Sequence, residues 1–112
     1  MAGNKKIVAI MFTSLVDYSK LTKKDNKLAL ELLGEHDKIL SAIINDFKGR
    51  VIKHINDSIF AEFPSATDST DCAITIQNKI QKFNEINPKD FQMHVGMGDQ
   101  SNKATASPRS NL

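Results

Sequence analysis

Val51-Ile52-Lys53-His54-Ile55-Asn56-Asp57-Ser58-Ile59-Phe60-Ala61-Glu62-Phe63-Pro64 is the stretch on which the fold turns. Val51 to Ile55 is rich in β-branched residues and reads as a strand. Asn56-Asp57 then supplies two residues that tolerate positive φ, as a two-residue hairpin turn requires. Ile59, Phe60, Ala61 and Phe63 form the return strand, which Pro64 ends. A tight hairpin in mid-chain commits this part of any sheet to antiparallel pairing.

Helical patterns flank the hairpin. Upstream, Leu28, Leu32, His36, Ile39, Ile43 and Phe47 recur at steps of three and four, the stripe of an amphipathic helix. Asp25 suits its N-cap and Gly49 its C-terminal stop. Gly34 interrupts it at a cost of about 1 kcal/mol relative to Ala, which predicts a close helix packing contact there. Downstream, Ser65 or Thr67 caps a second helix with the stripe Cys72, Ala73, Ile76, Ile80 and Phe83, closed by Asn87-Pro88.

A strand pattern stands outside each helix. The run Ile7-Val8-Ala9-Ile10-Met11-Phe12 is apolar without alternation and predicts a strand buried on both faces. Ser14 to Tyr18 reads as a break, with Ser19 or Thr22 capping short helical turns. Phe91, Met93 and Val95 alternate with Gln92 and His94, a half-buried strand. The order is strand, helix, strand, strand, helix, strand. The predicted fold is α+β: a ferredoxin-like βαββαβ antiparallel sheet with the helices on one face. Residues 1–100 make the domain, and the polar Ser101 to Leu112 reads as a mobile tail.

Composition narrows the function classes. The chain has 112 residues, room for one core. Its net charge of +2 resides in Lys103 and Arg109 of the tail, leaving the body neutral, and aromatics are only 6% of the residues. With no basic face, nucleic-acid binding is not expected. No apolar run has the roughly 18 residues of a membrane span. Met1 to Lys6 is polar, unlike a secretory leader. A single cysteine, Cys72, excludes an internal disulfide and suits a reducing compartment; the expected location is the cytoplasm. Cys72 falls on the helix stripe and reads as a small core residue rather than a reactive thiol. His36 reads as a core-edge histidine, and His54 and His94 as facing solvent or a partner. No Cys/His cluster has zinc spacing.

Two segments are placed to carry chemistry. One is Met11-Phe12-Thr13-Ser14-Leu15-Val16-Asp17-Tyr18-Ser19, and the other is the hairpin. In a ferredoxin-like sheet the first and third strands are central neighbours. Ser14 and Asp57 can therefore meet across 43 positions of chain.

In this order and on this fold, the segments resemble those of the class III adenylyl and guanylyl cyclases, particularly bacterial ones. Phe12, Thr13, Tyr18 and Ser19 match the first segment of that family, and Lys53, Asp57, Ala61 and Phe63 the second. The likeness continues through Pro64-Ser65-Ala66 and the next helix to about Val95. It implies cyclisation of ATP to cyclic AMP and pyrophosphate, in which two Mg²⁺ or Mn²⁺ ions activate the ribose 3′-hydroxyl and neutralise phosphate charge. By resemblance, Asp57 is one of two metal aspartates, assisted by the Leu15 backbone carbonyl. Amides of Asp17, Tyr18 and Ser19 take the triphosphate, and Lys53 recognises adenine, favouring ATP over GTP. The family's sites form between two chains, which implies a homodimer.

The departures are as informative. Ser14 occupies the position of the first metal aspartate, and a neutral hydroxyl cannot bridge two dications. Losing even about 3 kcal/mol of transition-state stabilisation slows a reaction about 10²-fold. Asn56 replaces the family's usual Gly. The family continues past the fourth strand with a second base-recognising residue and the Asn and Arg that stabilise the transition state; here only Gly98-Asp99 faintly echoes it. No catalytic set is intact, and the chain reads as the N-terminal half of a cyclase domain, inactive as given. The alternative is a non-catalytic dimerisation module on a ferredoxin-like fold; a small ligand-binding domain is a third reading with no pocket signal.

Overall fold

In a computed structural model, which describes residues 9–101, the chain forms β1 (Ala9–Leu15), α1 (Tyr18–Lys24), α2 (Asn26–Asp46), β2 (Arg50–Ile55), β3 (Ser58–Phe63), α3 (Ala66–Glu85) and β4 (Val95–Ser101). The four strands make one antiparallel sheet in the order β2-β3-β1-β4. That is the ferredoxin-like order predicted from the sequence, with α1 as an additional short helix.

Each long helix begins on a side-chain cap. Asp25 Oδ1 accepts from the Leu28 amide at 3.1 Å, and Ser65 Oγ from the Asp68 amide at 3.0 Å. Ser65 is thus the cap of α3, while Thr67 lies within the helix. The core lies between α2, α3 and one face of the sheet. It joins Leu32, Leu40 and Ile44 of α2 and Cys72, Ile76 and Ile80 of α3 to Met11, Leu15, Ile59, Ala61 and Phe63 of the strands.

Several local expectations are overturned. β1 is not buried on both faces: Ala9, Met11, Thr13 and Leu15 are buried, but Ile10 and Ser14 only partly, and Phe12 is exposed. Two helices can cover only one face of a four-stranded sheet. The strand also continues through Ser14 to Leu15, so the break is confined to Val16-Asp17. Ser19 and Thr22 lie inside α1 and cap nothing; the Thr22 hydroxyl donates to the Ser19 carbonyl at 2.8 Å. Gly34 is exposed, and an added Cβ there would meet nothing within 4 Å, so no helix contact explains it.

Gly49 does not take the left-handed conformation after α2; Lys48 does, at φ 66°. Gly49 is required for space instead, since a Cβ would lie 2.5 Å from the Phe63 ring and 2.8 Å from Ile44. In the hairpin only Asn56 has positive φ, 52°. Phe91 ends a 3₁₀ turn (Lys89–Phe91) rather than opening a strand, and β4 runs from Val95 to Ser101. Ser101 thus belongs to the sheet. Ile7, Val8 and residues 102–112, including most of the expected tail, lie outside the described residues.

Candidate functional site

The register of β1 on β3 sets the site. Ala9 lies opposite Phe63 and Thr13 opposite Ile59, so continuing the ladder brings Leu15 level with Asp57. The Val16 amide donates to the His94 carbonyl at 2.8 Å. Because backbone groups alternate sides along a strand, the even residues of β1 therefore bond β4 and the odd ones turn toward β3. The Leu15 N–H, beyond the last β3 pair, points at the hairpin turn. Asp57 Oδ2 accepts it at 3.0 Å, replacing the main-chain carbonyl that a longer strand would offer. The positive φ of Asn56 shapes the turn that holds Asp57 there.

Ser14 stands beside this bond in β1, half-buried, on the face that the helices leave open. It is opposite Gly96, where a Cβ would lie 3.6 Å from Ser14 Oγ. Lys53 reaches the same open face. An extra residue at Ile52 breaks the register between Val51 and Lys53, and Lys53 lands opposite Phe60. The Phe60 ring stacks on Phe12 at a centroid distance of 6.1 Å. Asp17 has left-handed backbone, φ 62° and ψ 21°, and makes no side-chain cap to α1. Tyr18 packs partly buried against the core, whereas Ser19 is exposed.

The structure thus brings Ser14, Leu15 and Asp57 together at one end of the central strands. Lys53 lies farther along the hairpin, and Asp17-Tyr18-Ser19 follow on the turn into α1. As cation ligands Ser14, Leu15 and Asp57 offer one hydroxyl, one backbone carbonyl and one carboxylate. Among the described residues no group of three or more His, Cys, Asp or Glu side chains could hold a metal ion. The donors do not fit a pair of dications, whose hard charges call for bridging carboxylates.

Two further groupings escaped the sequence. His36 is 0% exposed, deeper than a core-edge position, and its Nδ1 lies 2.9 Å from Asp37 Oδ1. Asp37 Oδ2 in turn lies 3.3 Å from His54 Nε2, tying α2 to β2. Amide side chains of α3 also bond the chain entering β4: Asn84 pairs both the N–H and the C=O of Met93, and Gln77 donates to the Val95 carbonyl. Polar residues on a helix are usually solvated, so nothing in the sequence marked these. His94 is exposed.

No protein-family model matches the chain. It is 29% identical over 100 residues to the putative adenylate cyclase 3 of Rhizobium meliloti (strain 1021), covering 85% of this chain and 17% of that protein. It is 22% identical over 116 residues to the serine/threonine-protein kinase pkn2 of Myxococcus xanthus, covering 98% of this chain and 14% of the kinase. Among solved structures, a bacterial light-regulated adenylyl cyclase superposes with a TM-score of 0.78 at 20% identity, over 86% of this chain and 54% of that one. An adenylate/guanylate cyclase/hydrolase from Silicibacter pomeroyi gives 0.75 at 22% identity, over 86% and 56%. The chain therefore has the fold of class III adenylyl/guanylyl cyclase domains. It spans about half of those solved chains and about a sixth of the curated relatives.

Proposed function

We propose that this chain is a piece of a class III nucleotidyl cyclase domain that does not cyclise ATP by itself. The observation that carries the reading is the pairing of Leu15 with Asp57 through the Asp57 carboxylate at 3.0 Å. It supports Asp57 as the counterpart of a metal aspartate and Ser14 as the position where its fellow is lost. When bound, Mg²⁺ or Mn²⁺ would supply activation of the ribose hydroxyl in the family reaction. With one carboxylate, this donor set does not support that step. Lys53 is the adenine-reading residue, and the Asp17 to Ser19 amides the triphosphate contact, for weak binding of ATP in the cytoplasm.

The second reading is a dimerisation module, favoured by the open face of the sheet, where Phe12, Val16 and Ile55 are each about half exposed. Apolar side chains left exposed together on one sheet face favour a partner. The two readings are compatible: a chain without catalysis can keep the family's habit of pairing as a homodimer.

Incubating the purified chain with Mn²⁺ and ATP and measuring cyclic AMP tests the first reading. The expected result is none above background. Turnover that Asp57→Ala abolishes overturns it.

A further inference from the structure

Burial does not set the register of β2. All six of its residues are exposed. Its apolar ones mark no single face: Val51, opposite Ala61, lies on the covered side, and Ile55, opposite Ser58, on the open side. They are exposed by 38% and 50%, and Ile52 between them by 44%. A strand that buries neither face has a weakly specified register. Two polar pairs hold it instead, one on each side of the bulge. Arg50 Nη2 lies 2.6 Å from Glu62, and His54 Nε2 lies 3.3 Å from Asp37 of α2.

The bulge decides which of these side chains faces where. Arg50 and Val51 lie opposite Glu62 and Ala61, but Lys53, His54 and Ile55 lie opposite Phe60, Ile59 and Ser58, one residue out of step. Opposite residues share a face. Lys53 therefore stands on the open face with Phe60, and His54 on the covered face with Ile59, toward α2. Re-aiming a side chain is a common use of a bulge.

The same segment can pair without one. If the register of Arg50 and Val51 runs on unbroken, Ile52 meets Phe60, Lys53 meets Ile59 and His54 meets Ser58. The extra residue passes into the turn, which becomes Ile55-Asn56-Asp57. Three-residue hairpin loops are the next commonest after two-residue ones, and their last residue is left-handed, a conformation that Asp tolerates. Lys53 then takes the place of His54 beside Asp37, its apolar stem along the strand, while Arg50 keeps Glu62. The bond from Leu15 to Asp57 belongs to the two-residue turn and favours the observed, bulged form.

We infer that the β2–β3 hairpin is a two-register device, in which the extra residue moves between Ile52 and the turn and carries Lys53 from the open face to Asp37. The slip moves both candidate site residues of the hairpin together, Lys53 by changing its face and Asp57 by reshaping its turn. A ligand held by Lys53 on the open face selects the bulged register. That consequence rests on the reading of Lys53 as the base contact; the slip itself does not.

The test is NMR saturation-transfer exchange on the whole chain. The expected result is a minor state seen at residues 52–58, with Arg50, Val51 and Glu62 quiet. His54→Ala removes the partner of Asp37 in the bulged register alone, so the minor population should rise about two- to fivefold, the worth of an exposed ion pair. Asp37→Ala strips both registers of their partner and should leave that population nearly unchanged. Deleting Ile52 gives a regular strand with the two-residue turn, and the exchange should vanish; if that variant does not fold, the two substitutions decide. No exchange at 52–58 in either the unaltered chain or His54→Ala overturns the inference. An equal rise in His54→Ala and Asp37→Ala, or exchange that includes Arg50 and Glu62, overturns it too, because the hairpin then frays rather than slips. Saturating ATP should suppress the minor state. Exchange that persists unchanged under ATP leaves the slip standing and removes Lys53 from the base contact.

Discussion

The two faces of one sheet present the same kind of residue to opposite surroundings. On the covered face, Met11, Leu15, Ile59, Ala61 and Phe63 are each 3% exposed or less, against α2 and α3. On the other, the side that α2 and α3 leave open, Phe12 stacks on Phe60 beside Ser14 and Lys53. The difference explains why β1 reads as uniformly apolar although only alternate residues are buried. The covered residues fold the chain, whereas the open ones lie on the same side as the candidate site and contribute little until something covers them.

Removing a phenylalanine from the covered face is the strongest way to break this contrast. Phe63 is among the largest fully buried side chains, and its ring lies too close to Gly49 for any Cβ between them. Neighbours so tightly seated cannot collapse far into the void. Phe63→Ala is expected to cost about 3–5 kcal/mol, measured by urea unfolding. A loss below about 1 kcal/mol would mean that this face is not the core.

The junction between the faces, where Asp57 meets Leu15, carries the next largest effect. Asp57→Ala leaves the half-buried Leu15 N–H without its acceptor and is expected to cost about 1–3 kcal/mol. Asp57→Asn keeps an oxygen in place and should restore most of that. An unchanged midpoint in both variants would show that the bond does not form in solution.

The hairpin, both long helices and the strand order were legible because period, cap and turn signals agreed. Asp25 and Ser65 are caps whose residue type matched the start of an apolar stripe. The misreadings share a cause, which is that local pattern does not encode what lies opposite. Gly49 looked like a conformational stop, but its role is to admit Phe63 from another strand. Phe91 looked like a strand residue because it alternates with Met93, yet it packs against Phe83 from a 3₁₀ turn. In the candidate site, Ser14, Asp57 and Lys53 were legible through family resemblance and their placement through the fold. The hydrogen bond from Leu15 and the Asp37 bridge between two histidines depend on register, which no single segment specifies.

The smallest expected effect sharpens the contrast most, because it repeats the chemistry of the largest on the opposite face. Phe12 and Phe63 lose the same atoms on truncation, and both belong to neighbouring central strands. Phe12 is already half exposed, so its removal opens no cavity. It forfeits part of its apolar burial and the stack on Phe60, an aromatic pair worth about 0.5–1.5 kcal/mol. Phe12→Ala is therefore expected to cost about 1 kcal/mol or less when unfolding is measured at a dilution where the chain is monomeric. Equal losses for Phe12→Ala and Phe63→Ala in the dilute chain would mean that the open face is already covered within one chain.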